Sequence, residues 1–341
     1  MKTTRAWLSR YLDALPDDAF IAETLTRLGL EVDARQDWPW LLRDFTVAHI
    51  LSAKPHPDAN KLQVCEVQTA DGLKTIVCGA ANARAGLYTV LAKVGVYVPG
   101  TGITIAERPV RGVPSQGMLC AAEELGLPWS TNGIIELSGE PAIGSPAAAA
   151  SGLSGSSFDI AITPNRADCF AVRGIARDLA AAGCGVWQDT SAPAFTATGT
   201  AWPVELQTDA VQGLAFARLT IAAKAETPTD IAAHLRSVGS TLRGAAVDIT
   251  NFSCLSRGRP LHAFDAAKLK GALRFGLSKG GESFAGLNGT TYTLPKGALI
   301  ISDDSGIISL AGIIGGISTA VTDTTTDVLL EAAVFDAGTI A

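Results

Sequence analysis

The chain has 341 residues, 47% of them apolar, with six cysteines and a formal net charge of −6. That length accommodates roughly two or three domains with separate cores. No apolar run is long enough for a bilayer, and the charge-threaded opening MKTTRAWLSRYL is not a signal peptide, so a cytoplasmic protein is expected. The acidic balance offers no electrostatic case for nucleic acid, so any such case has to come from motifs. The six cysteines contain no C-x-x-C pair, which argues against a zinc cage or a disulfide framework; they read as reduced, mostly buried small residues.

In chain order, Asp17 to Leu28 is predicted to be an amphipathic helix, with Phe20, Ile21, Leu25 and Leu28 on its apolar face. Asp17 caps it and Gly29 stops it. A short strand follows at Leu30 to Val32. From Asp44 the texture changes to short strands, FTVAHIL, KLQVCEV, KTIVCG and YTVLAKVGVYV, separated by HPDAN, ADG and ANARAG, with a fifth through GITIAERPVRGV. That count predicts a small barrel of the OB type over 41–151, closed by a helical turn at AAEELGL. The Ala-, Ser- and Gly-rich run GEPAIGSPAAAASGLSGSS reads as a linker.

Beyond it, FDIAIT is a strand and AVRGIARDLAAAG a helix stopped by Gly183. Neither this piece nor the N-terminal one is large enough for a core of its own. A discontinuous α/β domain of 1–40 plus 152–190, with the barrel inserted, resolves that. A second linker, WQDTSAPAFTATGT, leads to an α+β module over 200–341. Its predicted strands are WPVELQ, LAFARLTIA, AAVDIT, LRFGL, TYTL, LIISD, IISLAGI and TDVLLEAA, with a helix opened by Thr227-Pro228-Thr229. The fold class expected is therefore α+β and multidomain. Asp248 and Asp265 are expected to bond turn amides. His262, in RPLHAFD, and Glu331, between VLL and AAV, are polar groups in apolar surroundings, a position that demands partners or a function.

Three blocks carry a resemblance. HPDANKLQVCEV, IVCGAANARAG and IAERPVRGVPSQGMLCAAEELGL resemble the OB-type tRNA-binding module of several synthetases. ITPNRADCFAVRGIARDLAA and VDITNF…GRPLHAFDAAKLKG…LAGIIGG…TTDVLLEAAVF are similar to the β subunit of bacterial phenylalanyl-tRNA synthetase, in order along the whole chain. The resemblance implies the N-terminal part of such a subunit, with tRNA(Phe) and the α subunit of an α2β2 enzyme as partners. It implies no cofactor in this chain, since ATP and Mg2+ would belong to the complete enzyme, and it implies no metal site and no membrane contact.

It further implies a hydrolytic editing pocket for tyrosine mischarged on tRNA(Phe). In that pocket His262, Thr250 and Asn251 would act on the ester, with Thr250 and Asn251 at the end of the VDITN strand and His262 in the PLHAFD loop. Glu331, Phe264 and the backbone of Gly312, Gly315 and Gly316 would hold the substrate, and Glu331 would accept the tyrosine hydroxyl. A hydrophobic pocket alone rejects such an added hydroxyl poorly, hence the need for a second site. Candidate RNA contacts are Lys54, Lys61, Arg84, Lys93, Arg108 and Arg111. The chain departs from the family pattern at Asn60, Thr241 and Arg259, where Asp, Arg and Gln are usual. Two alternatives stand beside editing: a tRNA-binding module with a degenerate pocket, and a free-standing hydrolase acting in trans.

Overall fold

A computed structural model describes residues 1–188 and 196–341, in two compact units, Met1–Thr190 with Thr229–Thr241, and Ser191–Pro228 with Leu242–Ala341. The centre of the linker predicted at WQDTSAPAFTATGT lies outside the described residues.

In the first unit, strand Ser156–Ala161 lies between Lys2–Thr4 and Glu31–Asp37 and is antiparallel to both. This corrects the expectation of an α/β domain. The strands meet from distant parts of the chain without a βαβ crossover, so the layer is an antiparallel α+β one. Helix Asp18–Arg27 begins where the Asp17 carboxylate accepts the N–H groups of Ala19 and Phe20, at 3.0 and 2.9 Å. It ends before Gly29, whose φ of +78° suits a residue without Cβ. Ile21 and Leu25 are buried, whereas Phe20 stays outside beneath the Arg27 guanidinium. Asp17→Ala is expected to cost about 1 kcal/mol and lower this unit's unfolding midpoint by about 2–4 °C in a thermal melt.

Also in this unit is a five-stranded antiparallel sheet, in the order Met118–Leu119, Tyr88–Ala92, Phe45–His56, Ala59–Thr69, Gly72–Cys78. The predicted strands are there, but YTVLAKVGVYV is broken after Ala92, and the fifth is a set of fragments, Ile103–Thr104, Arg108–Val110 and Val113–Ser115. The sheet is not closed into a barrel. Edge strand Met118–Leu119 has only two residues after the bend at Gly117 (φ +153°), too short to form a ladder with the opposite edge. The gap is spanned by single bonds instead: the Gln116 N–H donates to the Thr75 carbonyl at 2.9 Å, and the Val77 N–H to the Ser115 hydroxyl at 3.1 Å.

AAEELGL forms turns rather than a helix, and Ala147 and Ala148 of the predicted first linker are buried in the core with Phe45, Val47 and Leu153. Five of the six free cysteines are buried, and burial pushes the Cys65 thiol up to about 11. Asp168, Cys169 and Asp178 lie close together, but both carboxylates are bound by the Arg166 and Arg177 guanidiniums, which explains the cluster as structural.

The described residues of the second unit hold two larger sheets, beside a two-stranded pair of Ser283–Ala285 with Thr291–Thr293. One runs Val204–Leu206, Leu273–Leu277, Leu299–Asp303, Gly306–Leu310, Ile314–Gly315, with a parallel first pair. The other places Asp327–Phe335 between Val211–Thr220 and His262–Asp265. Phe264, Phe275, Ile301, Ile308 and Leu329 fill the core.

The predicted strand AAVDIT is instead part of helix Ala245–Arg257. Its β-branched Val247, Ile249 and Thr250 favour a strand locally, but buried Asp248 reaches back to the N–H groups of Arg243 (2.8 Å) and Gly244 (3.3 Å) and holds the first turn. Left-handed Gly258 ends the helix. Asp265 accepts from the Ala267 N–H and the Thr325 hydroxyl, the turn-bonding role expected for both acids.

Candidate active site

PLHAFD is not a loop: His262–Asp265 is an edge strand whose first residue stands directly opposite Glu331 in the antiparallel ladder. Side chains of such a pair share one face of the sheet, about 5 Å apart at Cβ. Both open on a cleft of about 540 Å³, lined also by Pro260, Leu261, Ser309, Gly312, Gly315, Ala333, Phe335 and Ile340.

Glu331 is 6% exposed and its carboxyl has no hydrogen-bond partner among the described residues. Burial raises its carboxyl from the ordinary 4.5 to about 7. The His262 imidazole packs edge-on to buried Phe264, with ring centroids 4.4 Å apart. Its Nε2 is shut off from solvent with no hydrogen-bond partner, and burial lowers its pKa from 6.5 to about 4. At neutral pH the imidazole is therefore uncharged and a weak base, better suited to donating or accepting one hydrogen bond than to removing a proton from water.

The glycines have distinct tasks. A Cβ on Gly315 would sit 2.3 Å from His262 Cε1 and 2.7 Å from Nε2, so this residue is the wall against which the imidazole rests. Gly312, with φ of +71°, faces Ile340 and Phe335. Gly316 turns away from the cleft and packs on the Ile308 carbonyl.

Phe264 is wholly buried beneath His262 and does not line the cleft. Nor do Thr250 and Asn251, which the helix carries elsewhere in the unit; the Thr250 hydroxyl donates to the Val247 carbonyl at 2.7 Å. A strand ending in TN would have presented these side chains; a helix spends the hydroxyl on its own backbone. Sequence reasoning missed Ala333 and Phe335, although they follow Glu331 at the period of two that puts residues of a strand on one face.

The six candidate RNA contacts divide. Arg84 is tied by two 2.8 Å bonds to Glu136, and Lys93 pairs with Asp71 at 2.7 Å. Lys54, Lys61, Arg108 and Arg111 are exposed and form no ion pair with described residues.

The chain is thus an α+β protein of two units, the first with a five-stranded antiparallel sheet and the second with a cleft that holds one buried carboxyl. Residues 45–146 match the putative tRNA binding domain, and residues 213–341 match the B3/4 domain. The chain is 45% identical over 345 residues to the phenylalanine–tRNA ligase beta subunit of Novosphingobium aromaticivorans, covering 100% of this chain and 43% of that one. It is 42% identical over 343 residues to that of Rhodopseudomonas palustris, covering 98% and 42%.

The chain belongs to the phenylalanine–tRNA ligase β-subunit family, corresponds to its N-terminal region, and spans less than half the length of the curated relatives it matches. A solved N-terminal fragment of the phenylalanyl-tRNA synthetase beta subunit from Pyrococcus horikoshii aligns at 16% identity and a TM-score of 0.33, covering 55% of this chain and 58% of that one, a likeness too low to bear on the fold. Among the described residues no helix is long and apolar enough to cross a membrane.

Proposed function

We propose that this chain holds tRNA(Phe) through residues 45–146 and hydrolyses tyrosine mischarged on it in the cleft of the second unit. The amino acid would be attached by an α subunit in an α2β2 enzyme, where ATP and Mg2+ act. The observation that carries this reading is Glu331, a buried carboxyl without a protein partner, facing a cleft large enough for an aminoacyl end. Such a group rejects the phenylalanyl ester by being left unpaired and accepts the tyrosyl ester through its hydroxyl. Neutral His262 would orient water or the ester carbonyl, and fixed dipoles in a site shielded from water would stabilise the developing oxyanion.

A second reading, a tRNA-binding module with an idle pocket, is favoured by the covered Nε2 of His262 and by the position of Thr250. The test is deacylation of tyrosyl-tRNA(Phe) and phenylalanyl-tRNA(Phe) by the chain and by the α2β2 enzyme. Tyrosyl-selective hydrolysis above the buffer rate, abolished by Glu331→Ala, is expected. Activity in the complete enzyme alone excludes a free-standing hydrolase, while buffer-rate hydrolysis by both preparations leaves the second reading.

A further inference from the structure

Two hairpin ends in the first unit are locked together. His56, 4% exposed at the end of strand Phe45–His56, accepts the Asp58 N–H on Nδ1 at 3.0 Å, so the other ring nitrogen carries the proton. That Nε2 lies 3.0 Å from the carbonyl of Val110, the last residue before the turn of the hairpin formed by Arg108–Val110 and Val113–Ser115. The four candidate cations that have no ion pair among the described residues fall on these two hairpins. Lys54 and Lys61 flank the first turn, and Arg108 and Arg111 belong to the second.

The acids there cancel them only in part. Glu66, which accepts from Ser52, Glu107, which accepts from Gln116, and Asp58 in the turn are three acids against four cations, so the bases lead by one. Arg111 is also held at φ +46°, beside Gly112 at +86°. A two-residue turn with both angles positive ordinarily takes Asn-Gly, so an arginine at its tip is conformationally unfavourable. In a chain of net charge −6, a concentration of unpaired cations on two joined tips is a local reversal of sign.

We infer that the two tips form one phosphate-contacting surface for RNA, kept together by His56, and that Arg84 and Lys93 lie outside it. The inference rests on the tRNA-binding reading and adds the residues. Phosphate contacts by unpaired cations release counterions, whereas a cation already paired with a carboxylate releases few.

The experiment is equilibrium binding of a tRNA(Phe) transcript to the full chain across a salt series. Replacing the four together (Lys54→Gln, Lys61→Gln, Arg108→Gln, Arg111→Asn) is expected to weaken binding more than tenfold at low salt. It should also flatten the slope of log affinity against log salt by about 3, at roughly 0.7–0.9 per contact. Arg84→Gln with Lys93→Gln should change affinity less than twofold. His56→Ala keeps all four charges, and in that background the quadruple change should cost severalfold less than in the parent chain. An unchanged slope in the quadruple variant, or an equal loss in the Arg84/Lys93 control, overturns the surface, and an undiminished quadruple effect without His56 overturns the clamp. Failure of the parent chain to bind at low salt defeats the tRNA-binding reading itself, and the surface with it.

Discussion

Glu331→Gln and His262→Gln are expected to tilt the pH dependence of stability in opposite directions, although neither tilt shows in the parent chain. Glu331 has a folded-state pKa raised from 4.5 to about 7. Its contribution is therefore complete below about pH 4.5 and lost as pH rises through about 7. His262 has a folded-state pKa lowered from 6.5 to about 4, so its contribution is complete above about pH 6.5 and lost as pH falls through about 4. Between pH 4.5 and 6.5 the pair binds about one proton in either state, carried by Glu331 when folded and by His262 when unfolded. Stability has no slope where proton counts are equal.

Removing Glu331 leaves only the histidine, and stability then rises with pH across that window. Removing His262 leaves only the carboxyl, and stability then falls. Each shift corresponds to on the order of 3 kcal/mol over its full range. At pH 8 Glu331→Gln should be the more stable chain by about that amount, since it no longer ionises a buried, unpartnered group. Urea unfolding at half-unit pH intervals, with each variant compared to the parent so that other groups cancel, checks this. Parallel curves for the two variants would show that burial does not set either pKa.

Much of the secondary structure is written locally. Asp17 with Gly29, the alternation in KLQVCEV, and Gly183 after AVRGIARDLAAA each specify an element that the fold contains, because caps and periodicity act within a few residues. VDITN is a different case: its β-branched residues favour a strand, and the helix prevails through Asp248, whose local bonds to Arg243 and Gly244 are joined by one from Thr227, distant in sequence.

The site divides in the same way. His262 and Glu331 stood out as polar groups in apolar stretches, but their direct opposition depends on the register between two strands far apart in sequence. Thr250 and Asn251 came to the site from motif resemblance alone, and the helix places them away from the cleft. The His56 clamp was invisible in the sequence, because nothing in HPDAN or PVRGV announces that one tip will bond the other.

Gly315→Ala is expected to be the most damaging small substitution in the cleft. Its φ is not in the left-handed region, so the backbone itself tolerates a side chain; the obstacle is the imidazole, 2.3 Å from the new methyl at Cε1. Leu287 closes the other side at 3.1 Å, and the Leu287 N–H donates to the Gly315 carbonyl at 3.0 Å, so the strand cannot simply back away. Overpacking of this kind costs roughly 1–3 kcal/mol. Displacing a positioned group by about 1 Å costs on the order of a hundredfold in rate where that group serves catalysis.

The two effects separate in a double-mutant cycle. With His262→Ala already present the new methyl meets only Leu287, at 3.1 Å, so the added Gly315→Ala change should cost far less stability than in the parent. The double variant should then exceed the sum of the singles by at least about 1 kcal/mol. Deacylation measured on the same four proteins shows whether Gly315 acts through His262: if so, Gly315→Ala lowers the rate of the parent and leaves that of His262→Ala unchanged. Additive stabilities would mean that the imidazole yields easily, and the wall assigned to Gly315 would then be no constraint on the site.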